Sequence, residues 1–183
     1  MFPVFLDTCV LLKPYLCDTL LSVAEAGVYR PLWSPMVMAE LERNLARRGL
    51  GEKQIRHRVD QMNSAFPGAL VTGYDALIGE MANDPKDRHV LAAAVRGGAE
   101  ILVTENLRDF PGDAVRFYNI DVVSQDTFLL DLLDLRPADV LAALRSQISR
   151  YHREPRTIES LLAILGGEGS GCARFAQACG QVL

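Results

Sequence analysis

Residues 84–111 read DPKDRHVLAAAVRGGAEILVTENLRDFP, and this stretch decides the fold class. Asp84-Pro85 places a capping residue before a proline at the first helical position. Lys86–Arg96 continues as a helix, with Leu91 and Ala94 following Asp87 on one face at i+4 and i+7. Gly97-Gly98 stops that helix. Ile101–Thr104 (ILVT) is then a short apolar strand, and the loop behind it, Glu105–Asp109, is polar and acidic.

The same alternation extends outward in both directions. Phe2–Leu6 is an apolar run that reads as a buried strand halting on Asp7. Thr19–Ala26 is helical and ends at Gly27, and Tyr29–Trp33 reads as a strand. Ser34-Pro35 repeats the cap-then-proline signal and opens a helix to about Arg48, with Val37, Met38, Leu41 and Leu45 on one side. Gly49 and Gly51 break it. Glu52–Phe66 reads as a second, more polar helix, and Ala69–Thr72 as a further strand. Ile120–Val123 is the last strand. Strands alternating with helices predict an α/β fold whose parallel sheet is covered on both faces. In such sheets ligands bind beyond the carboxyl ends of the strands, where Asp7 and Glu105–Asp109 fall.

From Ser124 onward the pattern is helix after helix: 125–134, about 139–150 behind Pro137, and 157–165. GGEGSG (166–171) reads as a flexible joint before a final short helix. The chain therefore divides on sequence into an α/β domain, residues 1–124, and a helical C-terminal extension, residues 125–183.

Composition narrows the class. The chain has 183 residues, 49% of them hydrophobic, enough for a sizeable core and too apolar for disorder. No apolar stretch reaches the roughly 20 residues of a membrane span. The N-terminus enters Phe2–Leu6 with no Lys or Arg before it, unlike a secretory signal. Cys9, Cys17, Cys172 and Cys179 make neither a CxxC pair nor a ligand spacing with the three histidines, so a cytoplasmic protein with reduced thiols is expected. The net charge of −4 excludes polyanion binding by bulk charge. Bases nevertheless concentrate locally at Arg43, Arg47, Arg48, Lys53, Arg56 and Arg58, and arginine suits bidentate phosphate contacts. A solvated helix face or a protein-binding surface would show the same pattern.

Four acids stand where polar chemistry is unexpected. Asp7 ends a strand, Glu40 borders the apolar stripe of its helix, Asp87 lies in the first turn of another helix, and Asp109 follows the last clear strand of the central stretch. Each has a local explanation: a cap for Asp7, dipole complementation for Asp87, a solvated face for Glu40, a turn for Asp109. Together they can converge at one end of a parallel sheet, and carboxylates that converge repel unless a cation joins them. Oxygen ligands without Cys or His favour Mg²⁺ or Mn²⁺, one or two ions, and such ions pair naturally with phosphate oxygens. The chemistry expected is water-mediated cleavage of a phosphodiester.

With these residues identified, the chain resembles the PIN-domain ribonucleases, and more narrowly the VapC-type toxins of toxin–antitoxin modules. The matching stretches are FLDTCVLL (5–12), SPMVMAELERNL (34–45), residues 84–111 and DVVS (121–124). The resemblance implies a three-layer α/β/α fold with a central parallel sheet and metal-dependent endonucleolytic cleavage of RNA. It also implies a homodimer, inhibition by a cognate antitoxin, and a C-terminal helical extension as in a subset of these toxins. Asp7, Glu40, Asp87 and Asp109 correspond by resemblance to the metal-binding acids, and Thr104 and Asn106 to the supporting polar residues of the last loop. Many relatives carry Asp at the position of Asn106, which makes Asn106 the rival of Asp109 as fourth ligand. Cys9 replaces a more usual small polar residue. Arg43, Arg47, Arg48 and Arg56 are the expected contacts to RNA or to a partner.

Other readings meet specific obstacles. A haloacid-dehalogenase-type phosphotransferase needs a second acid two residues after Asp7, where Cys9 stands. A receiver-type signalling module needs paired acids after the first strand and a phosphoacceptor Asp after the third. A PIN nuclease of RNA processing without an antitoxin, and a PIN module that only binds RNA or protein, share the same residues.

Overall fold

The computed structural model describes residues 1–182; the last residue of the extension, Leu183, lies outside the described residues. Strand β1 (Pro3–Leu6) is followed by a single helical turn, α1 (Thr8–Leu11), and by α2 (Pro14–Glu25). Next come β2 (Arg30–Leu32), α3 (Pro35–Arg47), α4 (Glu52–Ala65) and the short α5 (Asp75–Ile78). A 3-10 turn, Pro85–Asp87, enters α6 (Arg88–Arg96) and β3 (Ile101–Val103). A second 3-10 turn, Leu107–Asp109, precedes α7 (Gly112–Val115) and β4 (Asp121–Val123). The remainder is α8 (Gln125–Leu135), α9 (Pro137–Ser149), α10 (Ile158–Gly166) and α11 (Ala173–Val182).

The result is the expected α/β fold, a four-stranded parallel sheet in the order β2-β1-β3-β4 with flanking helices, followed by C-terminal helices. Contacts divide the chain into two compact units. One comprises residues 2–12 and 30–122; the other comprises Met1, residues 13–29 and the chain from Val123 onward.

The first unit is built on β1. Val4, Phe5 and Leu6 are wholly buried, as are Leu102 and Val103 of β3. The register pairs Phe5 with Leu102 and Leu6 with Val103, so the two strands end side by side. Val90 to Ala94 of α6 are also fully buried, and the run of alanines allows a helix enclosed almost all round to approach its neighbours. The Gly97-Gly98 pair has two jobs. A Cβ on Gly97 would stand 2.9 Å from Val71 Cγ2 and 3.0 Å from Leu32 Cδ1, whereas Gly98 adopts φ +64°, the left-handed region that turns the chain into β3.

The second unit gathers α2 with α9 and α10, α8 with α9 and α11, and α10 with α11. Tyr29 is fully buried, meets the Phe128 ring edge-on at 5.1 Å and donates its hydroxyl to Leu20 O. A polar strut crosses from α2 to α9: the Thr19 hydroxyl donates to Gln147 Oε1 at 2.9 Å, and Gln147 Nε2 donates to Tyr151 OH at 2.8 Å.

Several local expectations are corrected. The first long helix begins at Pro14, not near Thr19, because proline at its first turn suffices without a side-chain cap. Ala69–Thr72 forms only an isolated bridge, Trp33 to Leu70, held by two backbone hydrogen bonds. Asp87 is not inside a helical turn of α6; it closes the 3-10 turn and stands at the N-cap of α6. GGEGSG is an ordered turn and not a joint: Ser170 N and Gly171 N both donate to Gly167 O, and Gln125 Nε2 donates to Ser170 O.

Candidate active site

The parallel register sets the site. Because β1 and β3 end together, the first residues past them, Asp7 and Thr104, become neighbours, and Asp7 N still donates to Val103 O at 3.1 Å. Asp7 is 4% exposed and Thr104 wholly buried. Thr8 N donates to Asp7 Oδ1 at 2.6 Å, so Asp7 does cap α1. Its second oxygen, Oδ2, accepts from the Thr104 hydroxyl at 2.7 Å and the Cys9 thiol at 3.3 Å. Asn106 N donates in turn to Thr104 Oγ1, and Glu105 N to Cys9 Sγ. The loop after β3 is therefore pinned to Asp7 by backbone as well as side-chain bonds.

Burial raises the Asp7 carboxyl above its ordinary range, with the Glu40 charge adding to it against the hydrogen bonds from Thr104, Cys9 and Thr8. Burial, then the Asp7 charge, pushes the Cys9 thiol up to about 12, which keeps it protonated.

Helix α3 delivers Glu40. Its Oε2 accepts from the Thr8 hydroxyl at 2.9 Å, and His89 Nε2 of α6 stands 3.1 Å from its Oε1. Burial would raise this carboxyl, but the neighbouring His89 imidazole, the Thr8 hydroxyl and the Arg43 charge leave it below the ordinary range. The turn before α6 delivers Asp87, and Asp84 N donating to Asp109 O ties that turn to the loop after β3. Lys86 Nζ lies 3.0 Å from Asp109 Oδ2, a pairing that raises Lys86 and lowers Asp109. Asp87 rises to about 7 through burial, the Asp7 charge and its hydrogen bond and charge interaction with Asp109.

A cleft of about 540 Å³ opens over these residues, lined by Asp7, Thr8, Cys9, Leu12, Glu40, Arg43, Asn44, Arg47, Lys86, Asp87 and Asn106. Three of the four expected acids meet there with Asn106, Arg43 and Arg47. Asp109 lies beside Asp87 but faces Lys86 and does not line the cleft. Arg48 and Arg56 do not line it either; Arg56 pairs with Glu52 on the exposed face of α4. Thr8, Lys86 and His89 were not expected. Lys86 and His89 flank Asp87 in sequence, which was their one local signal.

Asp87 Oδ2 is buried with no hydrogen-bond partner among the described residues, close enough to Asp7 for the two charges to oppose each other. An orphaned carboxylate oxygen facing a second buried carboxylate suits a hard divalent cation, and Mg²⁺ commonly takes only one or two carboxylates and keeps waters. Among the described residues, no group of three or more Cys, His, Asp or Glu side chains is arranged to hold a metal ion.

The raised Asp87 carboxyl has a pH consequence. In the unfolded chain it returns to about 3.8. Between that pH and about 7 the folded state holds the extra proton, so stability falls as pH rises through the window. In chelator, the melting temperature of Asp87→Asn relative to wild type is expected to be higher at pH 8 than at pH 4. A pH-independent difference between the two proteins would show that Asp87 does not titrate there.

A sequence profile of the PIN domain matches residues 3–108, more than half of the chain, and a profile of the VapC50 C-terminal domain matches residues 125–181. The chain belongs to the PIN-domain family. It is 45% identical over 108 residues to the Mycobacterium tuberculosis protein named "Putative ribonuclease VapC50". That alignment covers 57% of this chain and 64% of the relative's length. No solved structure matches the chain. Asp7, Glu40, Asp87, Thr104 and Asn106 lie within the PIN match, and Asp109 falls one residue beyond it. No helix among the described residues is long and apolar enough to cross a membrane.

Proposed function

We propose that this chain is an endoribonuclease dependent on Mg²⁺ or Mn²⁺, and that it is the toxin of a VapBC-type pair, restrained in the cytoplasm by a cognate antitoxin. The nuclease is carried by residues 1–124, with residues 125–183 as the helical extension, and the active form is a homodimer. The observation that carries the reading is the opposed pair of Asp7 and Asp87 in an Arg- and Lys-rimmed cleft at the carboxyl ends of parallel strands. Similarity to a protein named as a ribonuclease, and a second match across the C-terminal helices, support it.

Asp7 and Asp87 would hold the cation, with Glu40 on the same rim and Asp109 or Asn106 completing the set. When bound, the ion would supply Lewis-acid activation of water and charge neutralisation at the leaving oxygen. Thr104 and Thr8 fix the Asp7 carboxylate through both oxygens, so its orientation is set before substrate arrives. Arg43 and Arg47, one helical turn apart on α3, present guanidinium groups to the phosphates flanking the cleaved bond. His89 and Thr8 hold Glu40 in its charged state.

The test is cleavage of total cellular RNA by the purified protein. Discrete fragments are expected with Mg²⁺ or Mn²⁺, none in excess EDTA, and full recovery when Mn²⁺ is restored. Cleavage that persists in chelator would reject the metal-dependent mechanism.

A further inference from the structure

Lys86 is the only lysine lining the cleft among the described residues. Its side chain is 64% exposed yet its Nζ lies 3.0 Å from Asp109 Oδ2, the acid that stands away from the cleft. Asp109 in turn interacts with Asp87, whose Oδ2 is orphaned among the described residues. The lysine thus sits at one end of a chain of groups, Lys86–Asp109–Asp87–Asp7, and supplies positive charge at its outer end. A flexible ammonium on a mobile four-carbon stem can change partners at small cost, which a rigid bidentate guanidinium does less readily.

We propose that Lys86 exchanges partners during the reaction cycle. It neutralises Asp109 while the cleft holds no divalent cation, and passes to a non-bridging phosphate oxygen of RNA when cation and substrate bind, leaving Asp109 to the site. Lys86 is then a competitor for the cation and a contact for the substrate, so its removal moves the two affinities in opposite directions. A surface ion pair with no second role would move neither by much. The inference rests on the metal-dependent nuclease reading of the same cleft.

The experiment compares wild type, Lys86→Ala and Lys86→Arg by Mn²⁺ titration calorimetry. RNA binding is then followed by anisotropy, using a single-stranded oligonucleotide with non-cleavable linkages at several salt concentrations. Lys86→Ala is expected to bind Mn²⁺ about threefold more tightly, the scale of one lost surface ion pair. It is also expected to bind RNA more weakly, with a slope of log affinity against log salt shallower by about 0.7, the value of one lost single-strand phosphate contact. Lys86→Arg should keep the wild-type salt slope. Unchanged or weaker Mn²⁺ binding by Lys86→Ala, or an unchanged salt slope, overturns the exchange while leaving the nuclease reading intact. Failure of wild type itself to bind Mn²⁺ overturns both, and is told apart because no variant then shows a titration.

Discussion

Asp7→Asn is expected to cleave RNA on the order of 10³-fold more slowly than wild type while remaining folded, the scale seen when one preorganised electrostatic group is removed. The carboxylate is buried and anchored through both oxygens, by Thr8 N at 2.6 Å and the Thr104 hydroxyl at 2.7 Å. Asn keeps the shape and one oxygen but loses the charge a cation would need. The fold should tolerate it because a threonine hydroxyl is a rotor: Thr104 can turn to accept from the new amide where it had donated to Oδ2. Loss of a charge that opposes Asp87 in a buried setting also removes a source of strain, so the melting temperature should be equal or higher in chelator. Single-turnover cleavage and thermal unfolding on one preparation decide the matter. Near-wild-type cleavage by a folded Asp7→Asn would remove Asp7 from the chemistry, and with it the site as drawn. A collapse in melting temperature would mean that Asp7 serves mainly as the cap of α1.

The second large effect concerns the boundary that sequence order suggests. A chain ending at Ser124 retains α2 but lacks every helix that α2 packs on within its own unit. Leu16, Leu20, Val23 and Tyr29, each fully buried, would lose their cover, and Thr19 would lose Gln147. Such a fragment is expected to aggregate or to bind a hydrophobic dye strongly, since exposed apolar surface on this scale is not tolerated by a monomer. Phe128→Ala in the full chain is the graded version. Removing the ring that meets Tyr29 at 5.1 Å should cost about 3–5 kcal/mol, as for other buried aromatics truncated to alanine. Denaturant unfolding measures it. A soluble, cooperatively unfolding 1–124 fragment would show that α2 does not depend on the C-terminal helices.

Much of this molecule is legible one segment at a time. The cap read at Ser34 is present, accepting from Val37 N, and Ser124 and Thr157 cap their helices in the same way, accepting from Thr127 N and Ser160 N. Such signals are carried by neighbours within a turn, so no tertiary knowledge is needed to see them. The meeting of Asp7 with the loop after β3 was foreseeable for a related reason, since a parallel sheet brings its strand ends to one side whatever the loops do, whereas Glu40 and Asp87 reach the same place from α3 and the turn before α6. Asp109 was not resolved at that level. Whether it faces the cleft or Lys86 depends on how a 3-10 turn and a loop are tied by Asp84 N to Asp109 O, a contact between residues 25 apart in sequence.

The sequence by itself determined the alternation of strand and helix, the stops at Gly97-Gly98, and which acids could belong to a site, because periodicity and capping are short-range and strong. Only the tertiary structure decided the partners. It put His89 beside Glu40, Lys86 against Asp109, Arg43 and Arg47 but not Arg48 or Arg56 on the cleft, and α2 among the C-terminal helices. Those outcomes depend on strand register and on which apolar faces bury each other, and both are set by contacts between segments distant in sequence.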